Sequence, residues 1–262
     1  MGTLIAVSGK GGTGKTLISA LIIRCLVEAS RALGYEKRSI LAIDADPDAN
    51  LADALGIEID VRRTVGYVAM EFKEMASRGA LPPGIDKGSY LESKVMEVVY
   101  ELEDFDLLVM WRTEGEGCYC FVNEVLSKAL DWLVGGYDIV VMDCEAGLEH
   151  FNRRLFKAVD HLIIVVDGSR QSFETAKRIK EVVEEVKIGV KNMWIVGNRI
   201  PSGCEEIVYR RAEEVGIPLL GIVPLHEDIY RLYIEGKPVT ELPRDHIVVK
   251  SVESMLRKLG LI

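Results

Sequence analysis

The sequence predicts a single-domain α/β fold, a doubly wound, mostly parallel sheet flanked by helices. Three observations carry that expectation. Short, nearly continuous apolar runs alternate with segments of helical spacing along most of the chain, as repeated strand–helix–strand units do. Two of these runs, Ser39–Asp44 and Tyr137–Asp143, end in an acid, the pattern of strands buried on both faces with polar chemistry at their carboxyl ends. The 262 residues, 48% of them hydrophobic, suffice for one large core, and no internal repeat, low-complexity tract or interdomain linker divides them.

The elements follow in order. Leu4–Ser8 is the first strand, and a glycine-rich turn leads into a helix from Leu17 to about Leu33. Ser39–Asp44 is the second strand, with a helix starting near Leu51. A helix over Val65–Ser77 is interrupted by Leu81-Pro82-Pro83-Gly84, and helical spacing resumes over Tyr90–Leu102. Asp106–Trp111 reads as a strand, Arg112–Gly117 as a loop, and Phe121–Leu133 as a helix closed by Gly135-Gly136. Tyr137–Asp143 is the next strand. His161–Val166 is a strand followed by a helix over Ser169–Val186 that Ser169 would cap. Met193–Asn198 is a strand, Cys204–Val215 a helix, Leu219–Ile222 a short strand before Val223-Pro224, and Ile247–Leu259 a final helix.

Composition excludes several functions. A formal net charge of -9 and a pI near 5.1 oppose a duplex nucleic-acid surface, which needs clustered lysine and arginine. Five cysteines at irregular spacing do not form a disulfide framework. Met1–Leu4 runs directly into a strand, without the leader of a secreted protein, and no apolar run approaches the roughly twenty residues of a membrane span. The expectation is a cytoplasmic protein without stable membrane insertion.

The chemistry concentrates where the first strand meets the first helix. Gly9-Lys10-Gly11-Gly12-Thr13-Gly14-Lys15-Thr16 contains Gly-x-x-x-x-Gly-Lys-Thr in a strand–turn–helix context, the pattern of a phosphate-binding loop. Gly9, Gly11, Gly12 and Gly14 let backbone N–H groups close around phosphate oxygens, and the helix aims its positive end at the same anion. Lys15 suits the β- and γ-phosphates, and the Thr16 hydroxyl suits the magnesium ion that accompanies them. Asp44 and Asp46, in Asp44-Ala-Asp46-Pro47-Asp48-Ala-Asn50, stand where magnesium and attacking water must be held, whereas Asp48 and Asn50 read as caps of the following helix. Asp143-Cys144-Glu145-Ala146-Gly147 resembles a second switch, with Gly147 as its hinge.

Lys10, immediately before the double glycine, resembles the deviant Walker A lysine of the MinD/ParA/nitrogenase-iron-protein group of P-loop ATPases. That resemblance implies a P-loop NTPase fold and an ATP-dependent homodimer in which Lys10 reaches the partner's nucleotide. It further implies that Lys10, Lys15 and Asp46 are catalytic, Asp46 orienting water, and that Thr16, Asp44 and Asp143 serve magnesium. Asn198 matches an asparagine on the adenine edge, and Val223-Pro224 the segment flanking the base. His226 departs from MinD-like relatives, which usually carry an acid there.

Cys118-Tyr119-Cys120 narrows the resemblance. Two such pairs across a two-fold axis offer four thiolates, suited to zinc or another thiophilic metal, although a pair of cysteines is also compatible with a purely structural role. Together with Asp143–His150 and Ser172–Ile179, the motif is similar to the CooC family of accessory ATPases, which helps insert nickel into carbon monoxide dehydrogenase. This implies a metallochaperone with a Cys-x-Cys insertion around 112–121, Ni2+ or Zn2+ at a shared four-cysteine site, and carbon monoxide dehydrogenase as client. The rival readings are a MinD/ParA-like positioning or partitioning ATPase and an iron–sulfur reductase resembling the nitrogenase iron protein. Cys25 reads as core, Cys144 as a small buried residue, and His150 as either a third metal ligand or a solvated side chain; Cys204 has no evident partner.

Overall fold

The computed structural model describes residues 2–34, 38–81, 84, 86–111, 120–145, 158–186 and 189–262; at 120–127, 158 and 186 it describes the backbone alone. Eight strands form one sheet: β1 (Thr3–Gly9), β2 (Ile40–Ala45), β3 (Tyr100–Glu101), β4 (Asp106–Val109), β5 (Ile139–Cys144), β6 (Ala158–Val166), β7 (Gly189–Ile200) and β8 (Leu219–Pro224). Their order is β3-β4-β2-β5-β1-β6-β7-β8, and every neighbouring pair is parallel except β3–β4.

The apolar runs of the sequence are buried on both faces because successive side chains point to opposite sides of a strand. In β1, Leu4 and Ala6 join one core, whereas Ile5 and Val7 join the other. The first core is closed by α3 (Val65–Ser77), α4 (Lys87–Glu97), α5 (Cys120–Gly135), α6 (Arg170–Val186) and α7 (Glu205–Val215). The second is closed by α1 (Lys15–Ala32), α2 (Asn50–Leu55) and α9 (Ile247–Lys258). A further helix, α8 (Glu227–Glu235), follows β8 and buries none of its residues. Ser169 caps α6 as expected, its Oγ accepting from the Ser172 amide at 3.3 Å.

Three sequence expectations need correction. The helix placed over Tyr90–Leu102 runs instead over Lys87–Glu97, because Asp86 caps it by accepting from the Ser89 amide at 3.0 Å. Tyr100 and Glu101 then form an edge strand antiparallel to β4, Tyr100 opposite Leu107, where an aromatic residue packs better than in another helical turn. Asp48 and Asn50 do not cap α2: its N-cap is Ala49, in the left-handed region at φ 52° with no side-chain bond to the helix. The sequence reading also missed α8, although two acids in its first turn and the left-handed Gly236 at its end are helix signals.

This topology places the site. β1 lies between β5 and β6, so the turn leaving β1 opens at the carboxyl edge of the sheet, beside the ends of β2 and β5 on one side and of β7 and β8 beyond β6 on the other. Among the described residues no helix is long and apolar enough to cross a membrane.

Candidate functional site

The loop between β1 and α1 holds the conformation its glycines allow. Gly9, Gly12 and Gly14 have φ of 143°, 83° and 87°, a region that side chains strain. Gly14 is doubly constrained, since a Cβ there would also collide with the Asn198 side-chain amide. Gly11 differs from the expectation: its φ is not positive, and a Cβ there would meet no protein atom.

The loop's carbonyls are turned into the protein. The Lys10 carbonyl accepts from the Thr13 amide at 3.3 Å and from the Thr13 hydroxyl at 2.8 Å. The Thr13 carbonyl accepts from Asn198 Nδ2 at 2.8 Å, and the Gly12 carbonyl from the Arg199 guanidinium. With these carbonyls fixed on one side, the loop N–H groups other than that of Thr13, and those of the uncapped first turn of α1, can face an anion. Lys15 is buried in this turn, and Lys10 forms no ion pair with any described residue.

The carboxylates stand across from the loop. Asp44 and Asp143 face one another in register on β2 and β5, and both are fully buried. Asp143 Oδ1 accepts from Ser19 Oγ at 2.9 Å, while Oδ2 is buried without a hydrogen-bond partner among the described residues. Burial pushes the Asp143 carboxyl up to about 6, against the pull of the nearby Thr16 and Ser19 hydroxyls and the Lys15 ammonium. Burial, followed by the charge of Asp143, pushes Asp44 up to about 7. Both Asp44 oxygens are engaged: Oδ1 accepts from the Asp46 amide at 3.1 Å and Oδ2 from the Leu51 amide at 2.8 Å. Asp44 is thus the group that satisfies the start of α2 and shapes the 46–51 segment, a role the sequence alone concealed.

Asp46 is half-exposed at the lip of the site, with Oδ1 accepting from the Asp48 amide at 2.9 Å. The donor set of Thr16 and Asp143 fits a hard divalent cation: one hydroxyl and one carboxylate with an orphaned oxygen, on adjacent elements. Asn198 is placed beneath the phosphate loop, its Oδ1 buried and without a hydrogen-bond partner among the described residues, and Pro224 ends β8 opposite Ile200. Cys118 and Gly147 lie outside the described residues, as does His150; Cys120 is the first residue of α5 and its side chain is not described. Cys25 is core, its thiol pushed up to about 12 by burial, and burial also raises the Cys144 thiol, which faces the Met142 carbonyl.

Sequence reasoning missed Ser19 and Arg199. Ser19 was accessible by spacing, one helical turn beyond Thr16. Arg199 was hidden because its role depends on a positive φ of 56° that swings it toward the loop.

The comparisons agree with this geometry. The model of the CobQ/CobB/MinD/ParA nucleotide-binding domain matches residues 4–239. An ATP-binding protein of Methanocaldococcus jannaschii is 41% identical over 256 residues, which cover 98% of each chain. The carbon monoxide dehydrogenase accessory protein CooC of Rhodospirillum rubrum is 30% identical over 235 residues, 86% of this chain and 84% of that one. Among solved structures, the MinD cell division protein of Aquifex aeolicus superimposes with a TM-score of 0.68 at 21% identity, over 99% of this chain and 97% of the other.

Proposed function

The chain belongs to the CobQ/CobB/MinD/ParA nucleotide-binding family, and from that premise we propose that it is an ATP-hydrolysing, dimeric metallochaperone of the CooC kind. The observation that carries the finer reading is the pair Cys118 and Cys120 in a chain 30% identical to a CooC protein along most of its length.

In this reading the loop amides of Gly11–Thr16 and the Lys15 ammonium hold the β- and γ-phosphates of ATP. Thr16 and Asp143 would hold magnesium, which supplies Lewis-acid stabilisation of charge on the phosphoryl oxygens. Asp46 orients the attacking water with the oxygen not engaged by Asp48. Lys10, without an ion pair among the described residues, reaches the nucleotide of a second copy and stabilises charge there as an arginine finger does. Asn198 and Pro224 border the base. Closure of two copies brings Cys118 and Cys120 of each into one four-thiolate site for a nickel or zinc ion, the cargo delivered to a client such as carbon monoxide dehydrogenase. Nucleotide binding then biases a two-state interface that carries the metal site.

The test is metal titration of the wild type and of a Cys118→Ser/Cys120→Ser variant with Ni2+ and Zn2+, with and without ATP. Loss of one ion per two chains in the variant is expected, and equal stoichiometry would remove the metal half. Lys10→Ala should leave nucleotide binding intact and abolish accelerated turnover; normal hydrolysis would remove the role in trans. Strong ATP-dependent pelleting with liposomes would favour a positioning ATPase instead.

A further inference from the structure

Two helices at the carboxyl edge of the sheet start on a histidine. His226 is the N-cap of α8 and His246 the N-cap of α9, although serine, threonine, aspartate and asparagine are the residues suited to that position. The two rings meet edge to face, with centroids 4.4 Å apart and planes at 74°. Between them stands Asp228, whose Oδ2 lies 3.5 Å from His226 Nδ1 and 3.4 Å from His246 Nε2.

We propose that His226, Asp228 and His246 form a binding site for one divalent transition-metal ion of the zinc class, tying the first turn of α8 to that of α9. Donor atoms around a tetrahedral ion with bonds of about 2.0–2.2 Å are separated by about 3.4 Å, so the two Asp228 distances already match. All three donor atoms lie within 4.8 Å of one another. Two imidazoles and a carboxylate are a zinc-type donor set that leaves a fourth position open.

The second observation is His246 itself. Its side chain is 8% exposed, and its Nε2 is buried and aimed at Asp228 without a hydrogen-bond partner among the described residues. An imidazole nitrogen withdrawn from water in this way lacks the compensation a metal ion would provide. Asp228 is prepared to share: its Oδ1 lies 3.6 Å from the Arg231 guanidinium, leaving Oδ2 for the ion.

The site also has costs, which set its strength. His226 Nδ1 and His246 Nδ1 each accept a long 3.3 Å bond from a backbone amide, those of Asp228 and Val248, and metal binding gives these up. Two helix N-termini repel a cation, and Glu227 and Asp228 in the first turn of α8 oppose that field. The ion is therefore held more weakly than in a closed structural zinc site.

This site is independent of Cys118 and Cys120, and the experiment separates the two. The full chain carrying Cys118→Ser/Cys120→Ser, stripped with a chelator, is titrated with Co2+. One ion per chain is expected, with visible d–d absorption and no sulfur-to-cobalt charge-transfer band. Asp228→Asn and His226→Gln, at positions 42% and 37% exposed where the fold tolerates change, should each weaken binding at least about tenfold. His246→Asn, which keeps a capping group, should do the same. Absence of Co2+ binding in the double-serine chain, a sulfur charge-transfer band, or undiminished binding in the Asp228 and His226 variants would each overturn the proposal.

Discussion

Replacing Asp143 by asparagine should stabilise the nucleotide-free protein, although the residue belongs to the site. The Asp143 carboxyl stands at about 6 in the fold against an ordinary value of 3.8. Between those values the unfolded chain releases its proton while the folded chain keeps it, so the unfolded chain binds fewer protons and stability falls as pH rises. Above about pH 6 the cost is complete, and at ~1.4 kcal/mol per unit it reaches about 3 kcal/mol at pH 8, against about 0.6 kcal/mol at pH 4. Asparagine removes it while keeping an oxygen for Ser19, and its amide takes the place of an oxygen that has no partner among the described residues. It also relieves Asp44, which the Asp143 charge pushes up. Thermal melts without magnesium should place Asp143→Asn about 5–10 °C above the wild type at pH 8, with the gap nearly closed at pH 4. With magnesium and ADP present the order should reverse, because the variant lacks the carboxylate the cation needs. A variant no more stable than wild type at pH 8, or equally favoured at pH 4 and pH 8, would refute the assignment of a buried, cation-seeking charge.

Other perturbations separate the parts of the site. Gly14→Ala places a side chain at φ 87° against the Asn198 amide, and nucleotide affinity measured by calorimetry should fall by more than about tenfold, with a loss of about 1–3 kcal/mol in stability. Asn198→Ala frees the Thr13 carbonyl and should cost about 1 kcal/mol in urea unfolding while weakening nucleotide binding; a change in one without the other would argue against a loop-bracing role. Asp44→Ala leaves the Asp46 and Leu51 amides without acceptors, so hydrogen exchange at Leu51 should accelerate and stability should drop by about 1–3 kcal/mol at pH 5, where the unreplaced carboxyl is uncharged and still accepts both bonds.

The fold was legible because its strands are nearly pure apolar runs buried on both sides, a signal that short-range pattern carries without knowledge of neighbours. The phosphate loop was legible for a similar reason, since its glycines and the lysine–threonine pair all fall within Gly9–Thr16, whereas Asn198 and Arg199, which brace its carbonyls, come from β7. What failed depended on contacts between distant segments. Tyr100 and Glu101 become a strand only because β4 lies beside them, and the cap of α2 comes from Asp44 at the end of β2 rather than from the adjacent Asp48. His226 stood out in sequence only as a departure from the MinD-like pattern, and His246 not at all. Their meaning arises when β8 and α9 bring two helix starts together.

The site is electrically divided, and the division explains why its parts are built as they are. On one side, Asn198 and Arg199 hold the Thr13 and Gly12 carbonyls, so the loop presents N–H groups, Lys15 and the positive end of α1. On the other side, across one strand register, Asp44 and Asp143 place two acids in a buried space where neither ionises at its ordinary value. A lone polyanion satisfies the first half and is repelled by the second above pH 7. In the proposed reading a nucleotide carrying a divalent cation would satisfy both, its phosphates facing the loop and the cation facing the Asp143 oxygen that has no partner among the described residues. The energetic cost of the acid pair would then become selectivity for the metal–nucleotide complex. Asp44 would pass that event onward, because the same carboxylate that feels the Asp143 charge also holds the amides of Asp46 and Leu51.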